Sequence, residues 1–363
     1  MAGRNSGYYQ ENGQRILVSD QAQLPEPKPG SYPTISKYFS GLLKDGEEDK
    51  RIGQDQLNTL FGWIKIFVQS LYDDVYRQGQ ALALAGPEDC GKSVAQQILT
   101  LIFGGRCGRA AMFLNGKTTF NDDLLRAEHL FLEDDDSDIT YRGRTAFGNA
   151  IKRFAVNRFQ DIHPKNHPKR TFELRQRLSI TLNYPDERLQ LLPPFTTDVG
   201  NKIILLRCSP FTFRLPVNTA EEQRRFWHTI ASEIPAFIHD LLHEFEIPLQ
   251  LRHLRYGVAS YHHPELAAIL GESSRETIAL ALIEDLAPWN TEENSPWTGT
   301  SVALHKLLLN HPTTQKDTEA YFKHYKTLGA ALGQLARTHK SRVQNARKSF
   351  VRLWTIYPPQ RIE

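Results

Sequence analysis

The stretch ALALAGPEDCGKSVAQQILTLIF, residues 81–103, constrains the fold more than any other. A short apolar run (81–85) leads to Gly86, then four residues, then Gly91-Lys92-Ser93, and a helical pattern (93–103) that Gly104-Gly105 stops. A strand, a GxxxxGKS loop and a helix in that order form a phosphate cradle. The glycines permit the tight turn that aims successive backbone N–H groups and the helix N-terminus at an anion. On this reading Gly86, Pro87, Glu88, Asp89, Cys90, Gly91, Lys92, Ser93 and Val94 surround the phosphates of ATP. Lys92 reaches the β- and γ-phosphates and the Ser93 hydroxyl ligates Mg2+. Glu88 and Asp89 face outward, because only the backbone of the loop must face the nucleotide, and Cys90 is a small filler. The bland alternative is a glycine turn that merely caps a helix, and the flanking strand and helix argue against it.

A phosphate loop needs a carboxylate at the end of a neighbouring strand to organise the metal. HLFLEDD (129–135) supplies it: an apolar strand running into Glu133 and Asp134. We assign Mg2+ orientation through water to Glu133 and polarisation of the attacking water to Asp134, with the two roles open to exchange. Asp136 and Asp138 read as a solvated turn. Two more strands, LSITLNY (178–184) and KIILLRC (202–208), follow. The first ends in Asn183, a polar amide whose burial is costly unless something uses it. Sensing the γ-phosphate and holding the water is such a use. Strands interleaved with helices predict an α/β fold, a parallel sheet flanked by helices.

Composition agrees with a large globular chain: 363 residues, 40% hydrophobic, 23% charged and a net charge of +3. That charge alone argues for no nucleic acid. Cys90, Cys107 and Cys208 fit neither a disulfide framework nor a metal-ligand spacing. No apolar run approaches a membrane span and no signal-peptide core is present, so the expected setting is cytoplasmic, in a bacterial cell or a host-cell interior. Residues 1–30 are polar and rich in Gly, Gln and Pro and read as a flexible leader. Residues 31–78 read as an N-terminal helical segment, since Leu57, Leu60, Phe61, Ile64, Phe67, Val68 and Leu71 recur at helical spacing.

Between Arg158 and Arg177 a turned segment carries Lys165, His167, Lys169 and Arg170, with Pro after His163 and His167. A basic loop beside an ATPase core suits a grip on a nucleic-acid backbone. A solvated surface hairpin is the alternative. With loop, acidic strand and Asn strand in order, the chain resembles the AAA+ ATPases. Within them it resembles the superfamily 3 helicases of the poxvirus and phage primase-helicase type. The resemblance rests on the short spacing from Gly86–Ser93 through Glu133 to Asn183, on AFGNAIKRFAVNRFQDIHPKNHPKRTFELRQRLSITLN, and on FTTDVGNKIILLRCSPFTF. It covers roughly residues 30–215, with a weaker match at the C-terminus. It implies an AAA+ ATPase core at 79–215, a hexameric ring with ATP held between subunits, and a pore hairpin gripping single-stranded or forked DNA. It also implies a basic residue reaching across the interface, for which Lys202, Arg207 and Arg188 are the candidates.

Residues 216–290 read as a helical linker or lid, and 291–363 as a winged-helix-like domain resembling those of phage primase-helicases. There Leu328–Thr338 is expected as one helix, a second begins near Ser341 with Lys340, Arg342, Arg347 and Lys348 on or near it, and a short strand, VRLWTI (351–356), follows. A helical packing module is the alternative. The leading expectation is an ATP-dependent, ring-forming DNA helicase or replication protein of a phage, virus or mobile element. Priming would come from a separate primase or polymerase. The alternative is a AAA+ ATPase that remodels or loads protein partners without unwinding DNA. A small-molecule kinase would need a lid and acceptor pocket, and the basic hairpin argues against it.

Overall fold

The computed structural model describes residues 1–11, 13–44, 50–114, 121–133, 147–153, 157–163, 165–166, 168–184, 192, 197–210, 219–272, 275–286, 295–348 and 351–358. The chain divides into two units, Met1–Ala267 and Ala268–Glu363.

The first unit opens with the hairpin β1 (Gly7–Glu11) and β2 (Gln14–Val18), followed by helices α1 (Pro33–Leu42) and α2 (Lys50–Tyr72). Strand β3 (Ala81–Gly86), helix α3 (Lys92–Ile102), strand β4 (Cys107–Arg109), the short helix α4 (Ala111–Leu114) and strand β5 (His129–Leu132) come next. An antiparallel pair, β6 (Phe159–Ile162) and β7 (Arg170–Glu173), precedes β8 (Arg177–Asn183), the short helix α5 (Thr197–Gly200) and β9 (Ile203–Arg207). The long helix α6 (Ala220–His243) and a small ladder, β10 (Arg252–His253) with β11 (Gly257–Val258), lead to α7 (Pro264–Glu272).

Strands β4-β5-β8-β3-β9 form one parallel sheet. Every residue of β3 is buried, as are all of β8 but its last. Near-continuous apolar runs are what parallel strands need, because helices cover both faces. This is a P-loop NTPase-like core. One apolar cluster joins α1, α2, α3 and α6 to β3 and β9, with Phe61 meeting Phe237 at 5.1 Å and Phe67 meeting Phe103 at 4.7 Å, both edge to face.

Two expectations about segments change here. Residues 1–18, read as a flexible leader, are tied down. Ala2 is fully buried against Ile162, Phe172 and Leu174, and its carbonyl accepts from Arg175 N at 3.3 Å. Glu128, also fully buried, accepts from Gly3 N and pairs with Arg106. Small polar residues thus sit at a packed junction that composition could not reveal. Helix α6, placed by sequence in a linker or lid, belongs to the first unit's core. It starts on a reciprocal cap between Thr219 and Glu222. Its Glu233 carboxylate accepts from the backbone N–H groups of Thr34 and Ile35, each at 2.9 Å, and so caps α1.

Described by itself, the second unit contains α8 (Arg275–Leu286), β12 (Trp297–Gly299), α9 (Ser301–Asn310), α10 (Gln315–Tyr321), α11 (Tyr325–Thr338) and the hairpin β13 (Val343–Lys348) and β14 (Val351–Ile356). The sheet order is β12-β14-β13, and its core gathers Leu304, Leu308, Phe322, Leu332 and Trp354. The helix expected from Ser341 is not formed. Lys340 and Arg342 lie in a turn, and Arg347 and Lys348 on β13. Trp354 and Ile356 point inward at a period of two along β14, as expected for VRLWTI, and Val343 is buried opposite Ile356, which fixes a ladder where basic residues hid β13.

Two buried ionisable groups stabilise the start of the sheet. Arg177 stacks on Phe67 at 4.5 Å and donates to the carbonyls of Arg77, Gln78 and Gln176; burial lowers its pKa to about 10, so it stays charged. His129 is fully buried, its ring nitrogens 2.7 Å from Thr100 Oγ1 and 2.8 Å from Ser179 Oγ, and burial pulls its pKa down to about 3. The imidazole is neutral in the fold and titrates near 6.5 when unfolded. The unfolded chain therefore binds more protons between these values. The stability from His129 is complete above about pH 6.5 and falls as pH drops toward 3, by up to about 1.4 kcal/mol per unit. Urea titrations of the wild type and His129→Gln between pH 7 and 4 are expected to show a shallower loss in the variant. Parallel slopes would refute the assignment.

Candidate nucleotide site

The register of the parallel sheet decides what stands beside the phosphate loop. Gly86 ends β3 and pairs with Asn183, the last residue of β8, while Ala85 pairs with Arg207, the last of β9. All three strand ends therefore share the C-terminal edge of the sheet. In open α/β sheets this edge is where ligands bind. Tyr184 N donates to Gly86 O at 3.0 Å and Cys208 N to Ala85 O at 2.7 Å, which pins both neighbours to the loop's root. A Cβ on Gly86 would sit 2.4 Å from Cys208 O, so only glycine fits there.

The loop itself turns through positive φ at Asp89 (54°) and Gly91 (99°). Gly91 is held from outside the motif, because the buried Tyr38 of α1 donates from its hydroxyl to Gly91 O at 2.5 Å. The Lys92 ammonium is 7% exposed and donates to Gly86 O at 2.9 Å and to Pro87 O, with Cys90 Sγ at 3.6 Å. Cys90 is thus more than a filler. The Cys208 thiol hydrogen-bonds it and the Lys92 ammonium faces it, which together draw its pKa down to about 6, while burial raises that of Cys208. Glu88 and Asp89 are exposed.

Glu133 follows β5 directly, with Arg109 of β4 at 3.3 Å. Gln96 of α3 spans the gap between the loop helix and this strand. Its amide donates to Ser179 Oγ at 2.9 Å and to Leu132 O at 3.4 Å. The α3 face that carries Gln96 thus lies over the middle of β8 and the end of β5. Asn183 is partly buried at the loop's flank. Arg207 stands at the same edge, its Nε 3.4 Å from Glu265. Lys202 occupies the other end of β9: its carbonyl accepts from Ala81 N at the start of β3, and its ammonium donates to Asn201. Lys202 therefore stands at the opposite edge of the sheet from its own loop.

The basic segment is the hairpin β6–β7, turned at Lys165 and Asn166 (φ 64°). Lys165, Lys169 and Arg170 are exposed, and Lys169 pairs with Asp161 at 2.7 Å. Asp134, His167 and Arg188 lie outside the described residues. Sequence reasoning missed Tyr38, Gln96, Tyr184 and Glu265 as parts of the site. Gln96 and Tyr184 lie within stretches read for other residues, and Tyr38 and Glu265 come from stretches without a motif. Among the described residues no cluster of three or more metal-type side chains occurs, and no helix is long and apolar enough to cross a membrane.

No family model matches the chain, and neither does any curated protein. Among solved structures it is similar to the apo C-terminal region of NrS-1 (305–718), with a TM-score of 0.56 at 13% identity over 97% of this chain and 82% of that one. The A form of the same apo region gives 0.52 at 13% identity and the same coverage. JCV helicase is matched over 69% of this chain and 64% of that one at 11% identity, with a TM-score of 0.32, too low to support an argument. The fold of this chain is the one seen in the C-terminal region of NrS-1.

Proposed function

We propose that this chain is an ATP-hydrolysing motor of the superfamily 3 AAA+ type, a ring-forming DNA helicase or replication protein of a phage, virus or mobile element. The observation that supports it most is the sharing of one sheet edge by the Gly86–Val94 loop, Glu133 and Asn183. Lys92 would exchange the loop carbonyls for β- and γ-phosphate oxygens, and the amides around Asp89–Ser93 would hold the rest. Ser93 and Glu133 offer an all-oxygen donor set, which suits Mg2+. That ion, when bound, neutralises charge on the phosphates. Asp134 polarises the attacking water and Asn183 orients it.

Two basic residues then take different parts. Arg207, at the loop's own edge, serves the nucleotide held by its own chain. Lys202, at the far edge, reaches only the nucleotide of the next subunit in a hexameric ring, and lacks the fork of a guanidinium. The hairpin β6–β7 presents Lys165 and Arg170 to single-stranded or forked DNA. The helix, strand, helices and hairpin order of the second unit supports a winged-helix reading. In that role α11 would lie in the major groove, with Arg347 and Arg352, paired across the hairpin, available to the phosphate backbone. A separate primase or polymerase would supply priming. The second reading is a AAA+ ATPase that remodels or loads proteins. It is favoured by Asp161, which neutralises Lys169 and leaves fewer cations for DNA.

Lys92→Ala is expected to abolish ATP turnover, by about a thousandfold or more as for loss of a main phosphate contact. Turnover surviving that change would remove the nucleotide site. Single-stranded DNA is expected to raise the ATPase rate, and Lys165→Ala/Arg170→Ala to lose most of that increment. An increment that persists, or none in the wild type, transfers support to the remodelling reading. Titrating Lys202→Ala subunits into wild-type protein should depress turnover more steeply than their mole fraction. A loss linear in mole fraction would refute action in trans.

A further inference from the structure

Glu265 is a carboxylate at the edge that holds the loop, and the proposed chemistry does not use it. Glu265 lies in the first turn of α7, and its two oxygens face different strands. Tyr184, the residue after β8, donates from its hydroxyl to Glu265 Oε1 at 2.7 Å, and Arg207 Nε lies 3.4 Å from Glu265 Oε2. One side chain therefore links the ends of the two strands that flank β3. Building on the ATPase reading above, we propose that Glu265 is a positioning residue, which fixes the Arg207 guanidinium beside the phosphate loop for ATP hydrolysis.

Three observations carry this. First, the backbones of Tyr184 and Arg207 are already fixed. Tyr184 N is bonded to Gly86 O and Arg207 N donates to Gln56 Oε1 at 2.6 Å. The direction of their side chains is what remains, and both meet at Glu265. Second, Glu265 is itself anchored. Residues 261–263 run along the open edge of β9, with Leu205 N donating to Tyr261 O at 2.8 Å and His263 N to Leu205 O at 2.9 Å. His262 Nε2 lies 2.9 Å from Gly200 O and 3.1 Å from Ile203 O. Helix α7 begins immediately after, which places Glu265 in its first turn. Third, the pair is too open to serve as a structural brace, with Arg207 and Glu265 side chains 29% and 44% exposed. Exposed pairs add little to stability but do restrict the geometry of a long side chain. The hydrogen bond to Glu265 also raises the Tyr184 pKa.

Tyr184 and Arg207 thus hold the carboxylate from two sides, and the carboxylate keeps the guanidinium at the edge where charge develops on the γ-phosphate. Removing it takes away the contact at Arg207 Nε. The loss then falls on turnover rather than on ATP binding, which the loop amides and Lys92 provide.

The test is steady-state ATP turnover of the full chain for the wild type, Glu265→Ala, Glu265→Gln, Arg207→Ala and the Glu265→Ala/Arg207→Ala double variant, with Lys92→Ala as reference. Glu265→Ala is expected to lower kcat about tenfold with KM for ATP within about twofold. The double variant should be no slower than Arg207→Ala alone, because the two residues act as a unit. Glu265→Gln keeps the shape and an acceptor for Tyr184 and should retain intermediate turnover. A kcat for Glu265→Ala within about twofold of the wild type, or losses that multiply in the double variant, overturns the proposal. Should Glu265→Ala unfold, the isosteric Glu265→Gln decides by the same comparison with its own Arg207→Ala double variant. Turnover that depends on Lys92 but not on Glu265 defeats this inference alone. Turnover independent of Lys92 defeats the ATPase reading and this inference with it.

Discussion

The pairing of β3 with β8 on one side and β9 on the other governs the site. Three parallel strands in fixed register bring Gly86, Asn183 and Arg207 to a common edge although they come from distant parts of the chain. The closeness of that pairing shows at Gly86, where Cys208 leaves no room for a Cβ. A one-residue slip of β8 would turn Asn183 to the other face and move Tyr184 away from Gly86 O. The loop sequence supplies the turn, and the register supplies its neighbours.

Support from outside the motif matters as much. Tyr38 holds Gly91 from α1, and Gln96 ties α3 to the middle of β8 and the end of β5. Helices α1 and α3 are therefore components of the candidate site's frame. Glu233 links α1 to α6 through two backbone N–H groups, so the support for Tyr38 is itself fixed by a helix nearly two hundred residues later.

What the sequence made legible follows this division. The loop, the strand before it and the helix after it could be read because local chemistry dictates them: apolar run, glycines, lysine and hydroxyl. Asn183 was legible because a polar residue closes an apolar strand. Tyr38 and Glu265 were not, since each acts across a long separation, 53 residues to Gly91 and 81 to Tyr184. In the second unit VRLWTI (351–356) was legible as a strand, whereas β13 was misread as a helix because basic residues surround its inward Val343. The start of the 1–30 leader was misread because its anchoring depends on Glu128 and Arg175, which composition does not connect to it.

The cap that Glu233 places on α1 has a consequence for how the first unit is made. Thr34 and Ile35 lie 199 and 198 residues from Glu233, and the edge of β9 is completed only by Tyr261 and His263. Loop closure over such spans must precede the contacts that reward it, which slows folding. During synthesis α1 and α2 leave the ribosome with Phe39 and Phe61 uncovered, and these must wait until Phe237 of α6 has been translated. The early chain is thus an apolar, unfinished surface for most of its synthesis, open to chaperones and to aggregation. The second unit gathers its core within Ala268–Glu363 and closes over far shorter spans.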